Sequence, residues 1–266
     1  KRFKTVHYTI HSNKIKDARG IRFAVIADLH GMEFDTDNRK LPETIHRYRP
    51  DGILIAGDMI VRMILPLWKK LPPSEELAQQ YPVYYALGNH EYKLYRTDPQ
   101  ENCMAARYQE YEKELKTAGI HILHNESAAA GGKTSLTVYG LEIPLIYYKK
   151  PFSPQLKREE VRELIGEPSS DSLNILLAHS PKYGDTYFDW GADLILSGHY
   201  HGGIVRLGRH NGLLSPQLHP FPKFCCGDFH RKDQHMLVSA GAGEHTIPVR
   251  IHNPRELLMV DLKPNA

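Results

Sequence analysis

Cysteine is scarce in this chain: Cys103, Cys225 and Cys226 are the whole complement of 266 residues. An odd count with two adjacent members builds no disulfide framework and matches no zinc-site spacing. All three are expected to be free thiols without a catalytic role. Long apolar runs are also missing. No stretch approaches the ~18 residues that a membrane-spanning helix requires, and no secretory hydrophobic region is present. Charge of one sign is not in excess either, with 34 Lys and Arg against 31 Asp and Glu. That balance lacks the footprint of a dedicated nucleic-acid binder. The locally basic start (Lys1, Arg2, Lys4) suits a membrane surface or plain solvation equally well. The chain opens on lysine rather than methionine, so an N-terminal anchor ahead of it is compatible with the sequence. A membrane-associated or a cytoplasmic bacterial setting is expected. No repeat of solenoid period is found.

What is present is ordinary for a globular protein: 41% hydrophobic and 24% charged residues, on a chain long enough to bury a core without staples. No break in composition divides it, so residues 1–266 are expected to form a single domain.

Residues 3–11 alternate loosely and predict an edge strand. Buried strands are expected at Ile21–Ala27, Ile53–Ala56 and Val83–Leu87, with helices at Leu41–Tyr48 and, capped by Ser74, at Ser74–Gln80. A further helix is expected over Cys103–Ala118, with Glu112, Glu114 and Lys116 on its outer face and Gly119 ending it. Strands at Ile120–Leu123, Ser135–Gly140, Leu173–Ala178 and Asp193–Leu196 follow, with a helix at Lys157–Ile165 among them. Met236–Ala240, Ile247–Ile251 and Leu257–Leu262 close the chain as strands. Alternating strands and helices imply an α/β architecture with parallel pairing, here two sheets with helices outside them. The stretch 206–235, rich in Gly and Pro, resists assignment and is expected to be a loop over the site that precedes it.

Five short motifs end predicted strands: Asp28-Leu29-His30, Gly57-Asp58, Gly88-Asn89-His90-Glu91, Ala178-His179 and Gly198-His199-Tyr200-His201-Gly202. In open α/β sheets, sites form outside the carboxyl ends of the strands. The motifs therefore pool oxygen and nitrogen donors, enough for two divalent metals side by side. A carboxylate such as Asp58 can bridge two cations, and Asn89 offers a neutral amide oxygen. Mixed N/O donors without thiolate suit Mn, Fe, Zn or Ni better than Ca; Mn is favoured. Metal pairs about 3.5–4 Å apart are a common apparatus for phosphate ester hydrolysis.

This ordered set resembles the calcineurin-like metallophosphoesterase superfamily across most of the chain. His199-Tyr-His-Gly-Gly, Gly212-Leu-Leu-Ser-Pro, Phe221-Pro-Lys-Phe and Ala240-Gly-Ala-Gly resemble a narrower bacterial branch of membrane-associated members, some acting on lipid-linked substrates. The resemblance implies a four-layer α/β/β/α sandwich of two mixed sheets flanked by helices. It implies one metal held by Asp28, His30, Asp58 and His201 and a second held by Asp58, Asn89, His179 and His199. It implies in-line attack on phosphorus by a hydroxide between the metals, with His90 as general acid or charge stabiliser. One position departs from the pattern: Val61 stands where a second aspartate usually orients the catalytic histidine.

Substrate clues are weaker. Residues 60–71, with Trp68 and two lysines, read as a lipid-contacting lip or, by a small margin, as an ordinary helix. Tyr147, Tyr148, Lys149 and Lys150 read as an aromatic clamp or, more readily, as a solvated turn. Phe221, Phe224 and Phe229 in the 206–235 stretch, with Arg209, Lys223 and Arg231, suit a phosphodiester bearing a hydrophobic or planar group. Glu244-His245 would lie near the rim. His11, His46 and His121 are expected to serve packing alone. The expected function is metal-dependent hydrolysis of a small-molecule or lipid-linked phosphoester, with a phosphodiesterase favoured over a phosphomonoesterase. A non-catalytic binding scaffold is the remaining alternative.

Overall fold

The computed structural model describes residues 2–60, 76–130, 134–150, 152–208, 210–215, 220–244 and 249–265. Two mixed six-stranded sheets lie at its centre. In the first, strands β1 (Lys4–His11), β14 (Glu256–Lys263), β2 (Ile21–Ile26), β3 (Gly52–Ala56), β4 (Val83–Ala86) and β5 (Ile120–Ile122) run side by side in that order. All neighbours are parallel except β14 and β2. In the second, the order is β12 (Gly227–Arg231), β13 (Gln234–Val238), β9 (Leu194–Ser197), β8 (Leu173–Ala178), β7 (Leu136–Leu141) and β6 (Ser127–Ala130). Here the outer pairs β12–β13 and β6–β7 are antiparallel and the rest parallel. A small ribbon, β10 (Arg206–Leu207) and β11 (Asn211–Gly212), stands apart.

Strand side chains alternate between faces, and here both faces are buried. Phe23, Val25, Leu54 and Ala56 face the second sheet and meet Leu136, Val138, Ile175 and Leu177 in the central core. Ala24, Ile26, Ile53 and Ile55 face outward and meet helices α1 (Lys40–Tyr48), α2 (Asn89–Tyr95) and α3 (Cys103–Thr117) through Leu41, Ile45, Leu94, Tyr108 and Leu115. On the far side, Leu176, Ile195 and Met236 meet α4 (Arg158–Ile165) and α5 (Gly184–Trp190) through Val161, Tyr187, Phe188 and Trp190. Three cores separate four layers, the expected α/β/β/α sandwich.

Most predicted elements lie within a residue or two of their expected bounds, and β1 is the expected edge strand. Several were not anticipated. Helix α2 begins inside a ligand motif. Strand β6 is Ser-Ala-Ala-Ala, without a strand-like pattern, and exists because β7 offers it an edge. Helix α5 fills the connection from β8 to β9. The 206–235 stretch is not a single loop, since it holds β10, β11 and β12. Within it Phe224 is buried in the outer core and Phe229 is partly buried against it, while Phe221 is 65% exposed. Of the expected strand at Ile247–Ile251, residues 249–251 are described and carry one bridge, Val205 to Ile251; residues 245–248 lie outside the described part. Val61, the lip from 61 to 71 and the Ser74 cap also lie outside it. None of Cys103, Cys225 and Cys226 is joined in a disulfide. His46 reaches the Tyr81 hydroxyl at 3.1 Å and His121 stacks on Tyr84, the packing roles expected.

Glu112 was expected on the outer face of α3 and is instead buried. It accepts from His124 Nε2 at 2.9 Å and Lys116 Nζ at 2.6 Å, while His124 Nδ1 meets Glu142 at 2.8 Å. The His124 ring stacks on Tyr95, centroids 4.3 Å apart. Burial alone would lower the imidazole pKa, but the hydrogen bonds to Glu112 and Glu142 outweigh it and raise it from 6.5 to about 9. A folded-state value above the unfolded one stabilises fully below about pH 6.5. That stabilisation is lost as pH rises through about 9. Urea denaturation should therefore show the wild type losing about 1.5–3 kcal/mol over that window, the size of hydrogen bonds to charged groups. His124→Gln should lack this loss, and identical pH profiles for the two proteins would dismiss the account.

A candidate dinuclear metal centre

Each ligand motif sits just beyond a strand. Asp28 and His30 follow β2, Asp58 follows β3, Asn89 and His90 open α2 after β4, His179 follows β8, and His199 and His201 follow β9. Because β2, β3 and β4 are adjacent and parallel, and β8 lies beside β9, the strand ends of both sheets meet at one edge of the sandwich. Backbone bonds lock the turns together. Asp28 N–H donates to Gly57 O and His30 N–H to Asp58 O, both at 3.0 Å. His179 Nδ1 reaches Ala56 O at 2.7 Å, joining the sheets.

The backbone there is unusual. Asp28, His30, Asp58, His199 and His201 all have φ between 49° and 66°, in the left-handed region that side chains other than glycine rarely adopt. Such conformations persist where the surroundings over-determine them, and they concentrate at functional sites. The means are visible: the carboxylate of Asp28 accepts from His199 N–H at 2.9 and 3.0 Å, and Asp58 Oδ1 accepts from His90 N–H at 3.0 Å. Asn253 Nδ2 donates to the carbonyls of His201 and Gly203 at 2.5 and 2.7 Å.

Seven of the eight expected residues, all but Asn89, fall into common donor groups. Their donor atoms form three groups, each within 4.8 Å: Asp28, His30 and His201; His30, Asp58 and His90; Asp58, His179 and His199. His30 Nε2 and His201 Nε2 lie 3.0 Å apart. His179 Nε2 is 3.0 Å from Asp58 Oδ2 and 3.8 Å from Asp28 Oδ1. His90 Nε2 lies 4.0 Å from Asp58 Oδ2, and among the described residues no other carboxylate is recorded in ion-pair reach of it. The Asn89 Oδ1 atom is buried without a hydrogen-bond partner.

Charge explains what such a cluster needs. Burial raises the Asp28 pKa, and the nearby Asp58 adds to this against the pull of His179. Burial opposes ionisation of Asp58 too, but His179 and His90 outweigh it and hold its pKa well below the usual range. For His179, burial lowers the pKa, yet Asp58 and Asp28 drive it up to about 10. The same pull that favours a proton on His179 favours a metal cation there. Oxygen and imidazole donors without thiolate, two buried carboxylates and an unsatisfied amide oxygen fit a pair of divalent transition metals.

Several contributors were not assigned these contacts from the sequence. Glu91 is fully buried and accepts from Asp58 N–H, Ile60 N–H, Gly88 N–H and the Tyr85 hydroxyl, tying the β3 and β4 turns together. Its place in the Gly-Asn-His-Glu motif was the available clue. Arg250 places Nη2 3.1 Å from His201 Nδ1 and donates to Ala240 O and Gly243 O. Glu244, expected at the rim, pairs with Arg250 and Arg255; His245 lies outside the described residues. Tyr148, expected in a solvated turn, stands with its ring 5.1 Å from that of His199.

Glycines make room for this. A Cβ on Gly88 would fall on the Asp58 carboxylate and backbone nitrogen. Gly88→Ala should therefore fold, as judged by circular dichroism, but bind substantially less Mn²⁺ by elemental analysis. Undiminished metal in this variant would show that the Asp58 position does not govern binding.

A family model for calcineurin-like phosphoesterases matches residues 21–203, spanning all the ligand motifs. A metallophosphoesterase of Caenorhabditis elegans is 27% identical over 278 aligned residues, covering 96% of this chain and 53% of its own length. The chain thus spans about half the length of that relative. The UDP-2,3-diacylglucosamine pyrophosphatase LpxG of Chlamydia muridarum is 21% identical, over 79% of this chain and 69% of its own. Among solved structures, one from Staphylococcus aureus described as a 5′-nucleotidase aligns with a TM-score of 0.50 at 12% identity, covering 93% of this chain and 55% of the other.

Proposed function

The chain belongs to the calcineurin-like phosphoesterase family, and on that premise we propose that it is a phosphodiesterase dependent on two divalent metals. The observation that carries the reading is the sharing of Asp58 between two donor groups, one with His30 and His90 and one with His179 and His199. Asp58 would then be shared by the two metals, with Asp28, His30 and His201 available to hold one and Asn89, His179 and His199 the other. The pair would supply a nucleophilic water and neutralise charge on the phosphoryl group. His90, anchored through its N–H to Asp58 and partly exposed, faces the leaving oxygen as acid or charge stabiliser. Asp58 Oδ2 lies 4.0 Å from His90 Nε2, and in the sequence Val61 stands where the family's orienting aspartate is usual.

For the substrate, we read a diester or diphosphate carrying a lipid. Support comes from the relative named as a pyrophosphatase of a diacylated UDP-sugar and from exposed apolar residues after β7, with Ile146 47% and Phe152 86% accessible. Lys149 and Lys150 beside them are exposed cations. Among the described residues no helix is long and apolar enough to cross a membrane, so contact with lipid would be at a surface. Co-sedimentation with liposomes containing anionic lipid should be detectable, and its absence with and without anionic lipid would argue for a water-soluble substrate.

Hydrolysis of bis-p-nitrophenyl phosphate and p-nitrophenyl phosphate tests the reaction. With Mn²⁺ the diester should turn over faster; chelation and Asp58→Ala should each lower the rate at least about 100-fold. Monoester preference would make the protein a phosphomonoesterase, and failure to bind metal would favour a non-catalytic scaffold. His90→Ala should slow an alkyl ester far more than an aryl ester, because a good leaving group departs without a proton. Equal losses on both would remove the acid role.

A further inference from the structure

Strand β7 ends at Leu141, and Pro144 opens a short 3₁₀ turn over Leu145–Tyr148. The turn packs against α2, which carries His90, and it sorts its side chains sharply. Leu145 and Ile146 are exposed, and Tyr147 is buried with its hydroxyl on Glu160. Tyr148 turns the other way, its ring meeting His199 edge-on at 78° with centroids 5.1 Å apart and lying 6.5 Å from His179. It therefore flanks the half of the centre built from His179 and His199, on the side from which α2 presents His90.

The hydroxyls around it are committed. Tyr183 donates to Tyr147 O at 2.7 Å and Tyr187 to Ser180 O at 3.0 Å. The Tyr148 hydroxyl has no hydrogen-bond partner among the described residues, and the residue is partly buried. A tyrosine that buries most of its ring normally finds a partner for its O–H. Its ring borders the candidate metal centre through His199 and His179. An ordinary phenol, with a pKa of about 10, is a hydrogen-bond donor throughout the neutral range.

We propose that the Tyr148 hydroxyl donates a hydrogen bond to a non-bridging oxygen of the phosphoryl group under attack, an inference that rests on the phosphoesterase reading above. In phosphoryl transfer the developing charge spreads over those oxygens, and catalysis comes mainly from positioning and preorganised donors. A neutral phenol fixed against His199 supplies such a donor without adding charge to the centre. No bond to Tyr148 is made or broken, and its proton stays in place.

Tyr148→Phe keeps the ring against His199 and removes only the hydroxyl. Three readouts are taken on Mn²⁺-loaded protein: metal content by elemental analysis, orthovanadate affinity by calorimetry, and kcat and KM on bis-p-nitrophenyl phosphate. The expected result is unchanged metal, vanadate binding weakened about 10- to 100-fold, and a comparable fall in kcat with little change in KM. Unchanged vanadate affinity and kcat would overturn the proposal. So would loss of metal from the variant, which would make Tyr148 a packing support for His199. A wild type that neither binds metal nor hydrolyses ester would instead remove the phosphoesterase reading itself, an outcome visible before any variant is compared.

Discussion

Two carboxylates, Asp28 and Asp58, are fully buried among imidazoles at one edge of the sandwich, and the surrounding structure is organised around that charge. Burying an ionised carboxylate is unfavourable unless it is paired and hydrogen-bonded. Each therefore receives a backbone N–H, from His199 and from His90, and each lies within 4 Å of His179. Metal cations would complete the same balance more fully than protons, because several donor atoms already converge.

Holding these groups together requires backbone conformations that the chain would not adopt alone. Five ligand-motif residues occupy the left-handed region, at a cost of order 1–3 kcal/mol each. The opposing gain comes from three continuous apolar cores and from hydrogen bonds that pin each turn to its neighbour. Glu91 does this for the β3 and β4 turns, and Asn253 does it for the turn holding His201. The strain is thus local, and its support is spread over both sheets.

The site and its surroundings differ in how far the sequence reveals them. Strands such as Ile53–Ala56 are legible because an apolar run ends in a turn with a polar tip, a pattern that depends only on near neighbours. Strands alternating with helices give an α/β architecture of two sheets with helices outside, and the family resemblance implies the α/β/β/α layering. The identity of β6, by contrast, depends on the edge of β7 and not on Ser-Ala-Ala-Ala. Glu112 looks like a surface residue of a helix until His124, twelve residues on, folds against it. Phe224 and Phe229 look like a substrate-facing pair, yet Phe224 is buried in the core beside Phe188 and Phe229 is partly buried against it.

The sequence by itself determined the ligand types, their order and their placement at strand ends, because a metal site needs particular donor atoms and a parallel sheet needs its turns at one edge. Only the tertiary structure decided which residues hold those ligands in place. Arg250 meets His201 across 49 residues and Tyr148 meets His199 across a separate sheet connection. Contacts made between layers leave no periodicity in the chain. They exist only once burial has brought distant segments within hydrogen-bond reach.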